Sequence, residues 1–444
     1  MNVSDIAFIK ESVSAFLLER LDKSNVAKLF AFYNGISNTK SRKSIDGSGD
    51  YVQRTIDTIS EDISLNIQNR TVKEHIISTT PDEMLIKYVE IVDGLSGKHR
   101  ELGIEKLIFQ LYETIVRDAA DELFKAKVGE YQVASIKGRG QSYGKRHIKR
   151  WISADPEGTK YCGKADVHKC YPSIPHKNLK ALLHRDLGKS DMLLYLFDTI
   201  IELYDCANES LGRTECLGRG ILIGSPVSKD LCNYYMSYLY HFISEKMFEK
   251  TVRRGRKKVT RLISHVMIYM DDIVVFGSNK KNVQKAMGLI IDYVKNYLGL
   301  TVKPTWEKFL ISYKTNQGKV RGRNLDFMGF VFCGLDASYR TYNGAKKRIK
   351  RVKIIVRDSI FLRARRKFHK FIRKIKGKLR ATKHYAMSLL AYHGWIKNTD
   401  TFYFQKKENW KEIIELAKDV VSRSERGKSY AYEKYYKKWR KCYA

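Results

Sequence analysis

The sequence predicts an α+β fold, a split βαβ sheet with helices on one face. Three observations carry this reading. Short strand-like runs occur at YCGKAD (161–166), SHVMIYM (264–270) and IVVFG (273–277), the last two β-branched and apolar. Helix-period runs lie between and after them, and the order is strand, helix, strand–strand, helix, then a strand near LDFMGF (325–330). That alternation fits one sheet covered on one side.

The elements follow in order. Residues 1–95 read as a helical N-terminal extension, with a loop-like stretch rich in Ser, Gly and Lys from Asn34 to Gly49. Residues 96–160 contain the helix-like run Glu105 to Lys125 and the basic, glycine-punctuated SIKGRGQSYGKR (135–146). In residues 161–335 the first strand ends on Asp166. Ser225-Pro226 then supplies a helix N-cap and a first-turn proline. Val227, Leu231, Tyr234, Tyr235, Tyr238 and Phe242 continue at helical spacing. Asp271-Asp272 forms a tight hairpin between two apolar strands. Val283, Met287, Ile290, Ile291, Val294 and Leu298 mark another helix, stopped by Gly299. Residues 336–444 are a basic tail. Residues 346–380 hold 17 Lys or Arg and one acid, Asp358. Ile349, Val352, Ile355, Val356, Ile360 and Phe361 interleave there as on an amphipathic helix.

Composition narrows the function. The 444 residues suffice for two or three domains of about 150 residues. Hydrophobic residues make up 43%, too many for a mostly disordered chain. The net charge of +35 points to a polyanionic partner, most simply nucleic acid. No apolar run reaches the ~18–20 residues of a membrane span. The N-terminus lacks a secretory pattern. Seven scattered cysteines without a CxxC pair fit reduced thiols, and a cytoplasmic location is expected.

An Asp-Asp turn is ordinary at a wet surface. Held between apolar strands, adjacent like charges are costly unless a cation compensates. With Asp166 from a neighbouring strand end, the set is oxygen-rich and suits Mg²⁺. Two such ions about 3.5–4 Å apart can activate a 3′-hydroxyl and stabilise departing pyrophosphate.

These residues match a family. YMDD (269–272) resembles the palm hairpin of reverse transcriptases, and KADVHKCYPSIPH (164–176) their first carboxylate motif. GRGILIGSPVSKDLCNYYM (218–236) resembles the glycine turn leading into a helix. LDFMGF resembles the primer grip, and KHRELGI (98–104) the approach to the fingers. The order and spacing are family-like over roughly residues 90–340.

The resemblance implies a right-hand polymerase. Its fingers would lie in 96–160, its palm with part of the fingers in 161–335, and a basic helical thumb and C-terminal tail in 336–444. Asp166 and Asp271 would ligate two Mg²⁺ ions, with Mn²⁺ as a substitute. Asp272 would complete the catalytic acids, supporting the hairpin site and touching one metal less directly, and the Val167 carbonyl would be a further ligand. Tyr171 would be the gate against a 2′-hydroxyl. Ile223-Gly224 would lie beside the incoming nucleotide, and Arg100, Lys137 and Arg139 would hold its triphosphate. Lys308 would protonate pyrophosphate, with Lys303 an equal competitor.

The implied partners are an RNA template (a dedicated non-coding RNA), a DNA primer and product, and dNTPs. An accessory protein or a second copy of the chain is compatible with this, and no membrane is implied. Defence-associated bacterial or phage enzymes are similar to it, as are those of diversity-generating retroelements. Ile223 replaces the Gln common before the helix, and Ser228-Lys229 replaces the Ser-Gln pair of the diversity-generating group. The diversity-generating enzymes also have an aliphatic residue at the Ile223 place; antiphage defence is the leading expectation because the motif after the turn is not Ser-Gln and the N-terminus is extended. The alternatives are error-prone diversity generation, an RNA-dependent RNA polymerase, and a catalytically dead nucleic-acid-binding protein.

Overall fold

The computed structural model describes residues 3–21, 23–36, 49–92, 97, 99–253, 256–315, 317, 319–342, 345–376 and 383–425. Most of the loop read at Asn34–Gly49 lies outside them. The chain divides into two compact units. One comprises 1–140, 163–275 and 281–307; the other comprises 141–162, 276–280 and 308–444. No described helix is long and apolar enough to cross a membrane.

The first unit opens with helices α1 (Ile6–Leu18), α2 (Ser24–Tyr33), α3 (Gly49–Gln68) and α4 (Val72–Ser78). Asp5 caps α1 by accepting from the Ala7 N–H at 2.9 Å. Ile56, Ile59, Ile63 and Ile67 recur at helical spacing on α3 and are fully buried. Each such side chain contributes about 2 kcal/mol through its burial.

Helices do not fill the whole N-terminal region. Strands β1 (Ile86–Val92) and β2 (His99–Glu105) pair antiparallel, with Ile86 opposite Glu105 and Val92 opposite His99. The run read as one helix from Glu105 starts later and breaks at Ala120, giving α5 (Leu107–Ala119) and α6 (Asp121–Lys127). The Ala120 N–H still bonds the Val116 carbonyl and the Phe124 N–H the Ala120 carbonyl, so backbone pairing continues through the break.

One sheet has the order β6 (His265–Tyr269), β7 (Asp272–Gly277), β3 (Tyr161–Asp166), β8 (Glu307–Leu310). The fourth strand is therefore Glu307–Leu310 and not LDFMGF. Ile273, Val274, Val275 and Phe276 are all fully buried on β7, the continuous apolar run of a strand covered on both faces. Helix α12 (Lys280–Asn296) lays Val283, Met287, Ile290 and Val294 onto the core. The approach is close: a Cβ on Gly163 of β3 would lie 2.7 Å from Met287 Sδ. Gly299 (φ +64°) lies just past the end of that helix.

Helices α8 (Cys170–Ser173), α9 (His176–Leu187), α10 (Asp191–Ser210) and α11 (Ser228–His241) complete the unit. Helix α11 starts at Ser228, later than the Ser225 cap expected. The Ser225 hydroxyl instead donates to Glu113 Oε2 at 2.7 Å, so it is not available to cap the helix.

In the second unit, α7 (Gln141–Ala154) buries Ile148, Trp151 and Ile152. Strands β9 (Tyr313–Lys314) and β10 (Val320–Arg321) pair antiparallel, and β11 (Leu325–Phe327), β12 (Phe330–Tyr342) and β13 (Ala345–Val356) form an antiparallel sheet. This corrects the helix expected over 346–380. Val352, Ile354 and Val356 are buried at period two, and β-branched residues suit that pleat. The helix begins only at Asp358, as α13 (Asp358–Lys376), and buries Ala364, Phe368, Phe371 and Ile375. Helices α14 (Lys383–Leu390), α15 (His393–Lys397), α16 (Phe402–Lys407) and α17 (Trp410–Glu425) follow, with Trp410 stacked on Phe368.

Candidate active site

The turn between β6 and β7 consists of Met270 and Asp271, with Met270 at φ +55°. Positive φ at the first turn position matches the twist of a two-residue hairpin. Strand β3 runs beside β7, so the residues after its end meet this turn. The Val167 N–H donates to the Asp271 carbonyl at 3.0 Å. On its other edge the chain pairs through Lys303 N–H to Asp166 O (2.8 Å) and His168 N–H to Thr301 O (2.7 Å). Backbone pairing on both sides thus fixes Asp166 and Asp271 at adjacent strand ends.

Their electrostatics follow from that placement. Burial raises the proton affinity of Asp271 above the usual carboxylate range, and the Asp166 charge adds to it. Lys303 and Arg100 pull the other way. The Lys303 ammonium lies 2.6 Å from Asp166 Oδ1. That oxygen is buried and makes no hydrogen bond, so the ammonium neutralises it without the alignment of a bond. A buried oxygen lacking a hydrogen bond and a second carboxylate whose ionisation is opposed by burial form a hard donor pair that Lys303 compensates only in part. The pair fits a divalent cation.

Asp272 opens β7 and is half-buried. Among the described residues no group of three His, Cys, Asp or Glu side chains is placed to hold one ion. The site is a carboxylate pair beside a third acid.

Tyr171 follows on the short helix α8. Its hydroxyl approaches Met270 Sδ at 3.7 Å, which sets the ring against the Asp271 turn. Its carbonyl accepts from the Ile221 N–H at 3.0 Å, tying it to the segment leading to Ile223-Gly224. His176 holds the same segment, with Nδ1 2.9 Å from Asp205 and Nε2 2.7 Å from the Gly220 carbonyl. The Ile223 carbonyl accepts from Gly103 N–H at 3.2 Å. Gly224 is at φ +114°, and a Cβ there would press within 3.3 Å of the Gly103 carbonyl. Glycine meets both demands.

The cations divide. Arg100 lies exposed on β2 and acts electrostatically on Asp271. Lys137 is exposed on the turn before Gly138. Arg139 is committed elsewhere: one guanidinium nitrogen donates to the Gly129 and Gln132 carbonyls, so it braces its own loop. Lys303 is the lysine that pairs with Asp166, and Lys308 lies on β8. His99 pairs with Glu90 at 2.7 Å on the surface.

Sequence reasoning missed a buried network behind the nucleotide turn. Glu113 is fully buried and accepts from Tyr204 Oη (2.6 Å) and Ser225 Oγ (2.7 Å). Burial and the neighbouring Glu105 raise its proton affinity. The signal was present, since LIFQLYETIV holds one acid in an apolar run, and a lone buried acid needs partners. Gln132 was also missed. Its amide donates to Asn233 O at 2.8 Å, and Asn233 donates to Ala134 O at 3.0 Å, latching loop 129–134 onto α11.

A strand-end carboxylate pair that can hold a divalent cation, next to a turn shaped by two close glycines, is suited to nucleotidyl transfer. Comparison with known proteins bears on which kind. The family described as "Reverse transcriptase (RNA-dependent DNA polymerase)" matches residues 91–332. No curated protein matches the chain. Among solved structures, an apo telomerase from Candida tropicalis, truncated from its C-terminal domain, matches at 12% identity. The match covers 68% of this chain and 70% of that one, with a TM-score of 0.33. The family match spans more than half of the 444 residues and includes Asp166, Tyr171, Gly224 and Asp271. The chain belongs to the reverse transcriptase family of RNA-directed DNA polymerases.

Proposed function

We propose that the protein copies a dedicated RNA into DNA, with Asp166 and Asp271 as the metal-binding carboxylates of the reaction. The observation that carries this is the pairing of a buried Asp166 oxygen, lacking a hydrogen bond, with Asp271, whose ionisation is opposed by burial and by Asp166. Mg²⁺ held there, with Mn²⁺ as a substitute, would supply charge stabilisation for the attacking and departing oxygens. The Val167 carbonyl is a further candidate ligand, and Asp272 supports the hairpin. Lys303 keeps Asp166 compensated while no other cation is bound.

Tyr171 stands against the Met270-Asp271 turn, where its ring would exclude a ribose 2′-hydroxyl. Ile223 and Gly224 form the wall beside the incoming base, held from behind by Ser225 and Glu113. Arg100 and Lys137 are the cations for the triphosphate. The basic helix α13 serves as the thumb surface for the template–primer hybrid. In the cell we place the enzyme in antiphage defence. Ser228-Lys229 stands where the diversity-generating enzymes have Ser-Gln, and a helical extension precedes the polymerase segment.

The test is extension of oligo(dT) on poly(rA) with Mg²⁺ or Mn²⁺, comparing dTTP with UTP. Extension with dTTP alone is expected. Preferential use of UTP would identify an RNA polymerase, and no extension with either would identify a binding protein on a polymerase fold. The defence role is tested by phage challenge of cells carrying the wild-type gene or Asp271→Asn; equal plaque counts would remove it.

A further inference from the structure

Between helix α11 and strand β6 the chain folds into a separate two-stranded ribbon. Strands β4 (Phe248–Arg253) and β5 (Arg256–Arg261) pair only with each other. The Leu262 N–H closes the base on the Met247 carbonyl at 3.1 Å. From Phe248 to Arg261 the sequence has seven Lys or Arg and one acid, Glu249.

The register sorts these residues. Phe248 pairs with Arg261, Lys250 with Val259, and Val252 with Lys257. Strand side chains alternate, so these six share one face. Each rung of that face carries one apolar and one cationic residue. All six are exposed, Val252 at 70% and Val259 at 60%. The Arg261 guanidinium lies over the Phe248 ring, 5.6 Å from its centroid. Glu249 belongs to the opposite face, where Lys285 of α12 neutralises it at 2.7 Å. The exposed face is thus purely cationic and apolar.

We propose that this face is a docking surface for double-stranded RNA, a folded part of the template lying outside the reaction centre. Charge complementarity argues for a polyanion. The position argues against the reacting end of the primer. The ribbon leads into the start of β6, and the Asp271 turn lies at its other end, five residues or about 17 Å away. Shape argues for an A-form duplex. Its minor groove is wide and shallow and presents 2′-hydroxyls flanked by phosphates, which suits a flat face of interleaved cations and apolar groups.

The inference rests on the chain's use of an RNA template, and its test is separable from that reading. Binding of a 20-base-pair RNA duplex is measured for the full chain and for Lys250→Gln/Lys257→Gln. A DNA duplex of the same sequence and an acidic peptide serve as competitors. The variant is expected to bind duplex RNA about fivefold more weakly and to lose about 2 from the slope of log affinity against log salt. Extension of oligo(dT) on unstructured poly(rA) should stay at the wild-type rate. Unchanged RNA affinity and slope would overturn the proposal. So would an equal loss for duplex DNA, displacement of the RNA by the acidic peptide, or lost extension on poly(rA). Failure of the wild type to extend poly(rA) bears on the polymerase reading and not on the ribbon.

Discussion

Asp271 is costly to the fold without a cation, because burial and Asp166 both oppose its charge. Lys303 and Arg100 offset part of that cost. Removing Lys303 therefore raises the proton affinity of Asp271 further. Asp271 must be ionised to hold a cation, so the acidic limb of the pH–rate profile of Lys303→Met should move to higher pH. Activity at about pH 6 should fall more than at about pH 8.5. A uniform loss across pH would show that Lys303 acts in another way.

Glu105 gives a stability test. It is buried, one carboxylate oxygen has no hydrogen bond, and burial pushes its carboxyl up to about 7. The folded protein then holds a proton that the unfolded chain releases near the ordinary carboxylate value. Stability should decline as pH rises from about 4.5 to about 7 and level off above. Glu105→Gln should flatten that decline in urea melts. An unchanged decline would place its source elsewhere.

At the scale of elements, the strand-end geometry of the site was legible in the sequence. The two runs around Asp271-Asp272 are short, β-branched and apolar, YCGKAD ends on Asp166, and the pairing of β3 with β7 places Asp166 at the turn. The segment 345–356 was misread because its apolar residues fit two periods. Only the antiparallel partner β12 selects the strand, and a partner distant in sequence is invisible to local periodicity. Lys303 was not distinguishable from Lys308, since backbone pairing and not spacing brings it to Asp166.

Two elements give further expectations. On α8, Tyr171 contacts the Met270 side chain, so Tyr171→Ala should open space at the hairpin and raise ribonucleotide incorporation relative to deoxyribonucleotide. A fixed ratio would assign the ring to packing alone. Helix α13 buries Phe368 and Phe371 and exposes Arg366, Lys370 and Arg373 at helical spacing on the other side. Replacing those three by Gln should cut the salt slope of hybrid binding by about 2.7 and shorten products. Truncation at residue 340 would instead split the β12–β13 hairpin, so a slope change after it would be uninformative.

At the scale of the molecule, the +35 charge announced a polyanion but not its use. Of that charge, 31 Lys or Arg against eight acids lie after residue 340. Family-like motifs spaced across 90–340 supplied the chemistry, and the family match over 91–332 covers nearly the same stretch. What the sequence withheld was the buried support: Glu113 with Tyr204 and Ser225, and Gln132 with Asn233. Such pairs join residues about 90 to 110 positions apart, and no local pattern announces them.

The central claim is that Asp166 and Asp271 hold the cation that drives DNA synthesis on RNA. The most direct measurement is Mg²⁺-dependent dTTP incorporation on poly(rA)/oligo(dT) by wild type and Asp271→Asn, with hybrid affinity measured on the same preparations. The substitution removes a metal carboxylate but leaves the phosphate-binding surface untouched. Incorporation is expected to fall by at least about 10³-fold, as when several kcal/mol of transition-state stabilisation are lost. Hybrid affinity should stay within about twofold, and the metal-free protein should melt no lower than wild type. A folded Asp271→Asn enzyme with near-normal incorporation would contradict the assignment.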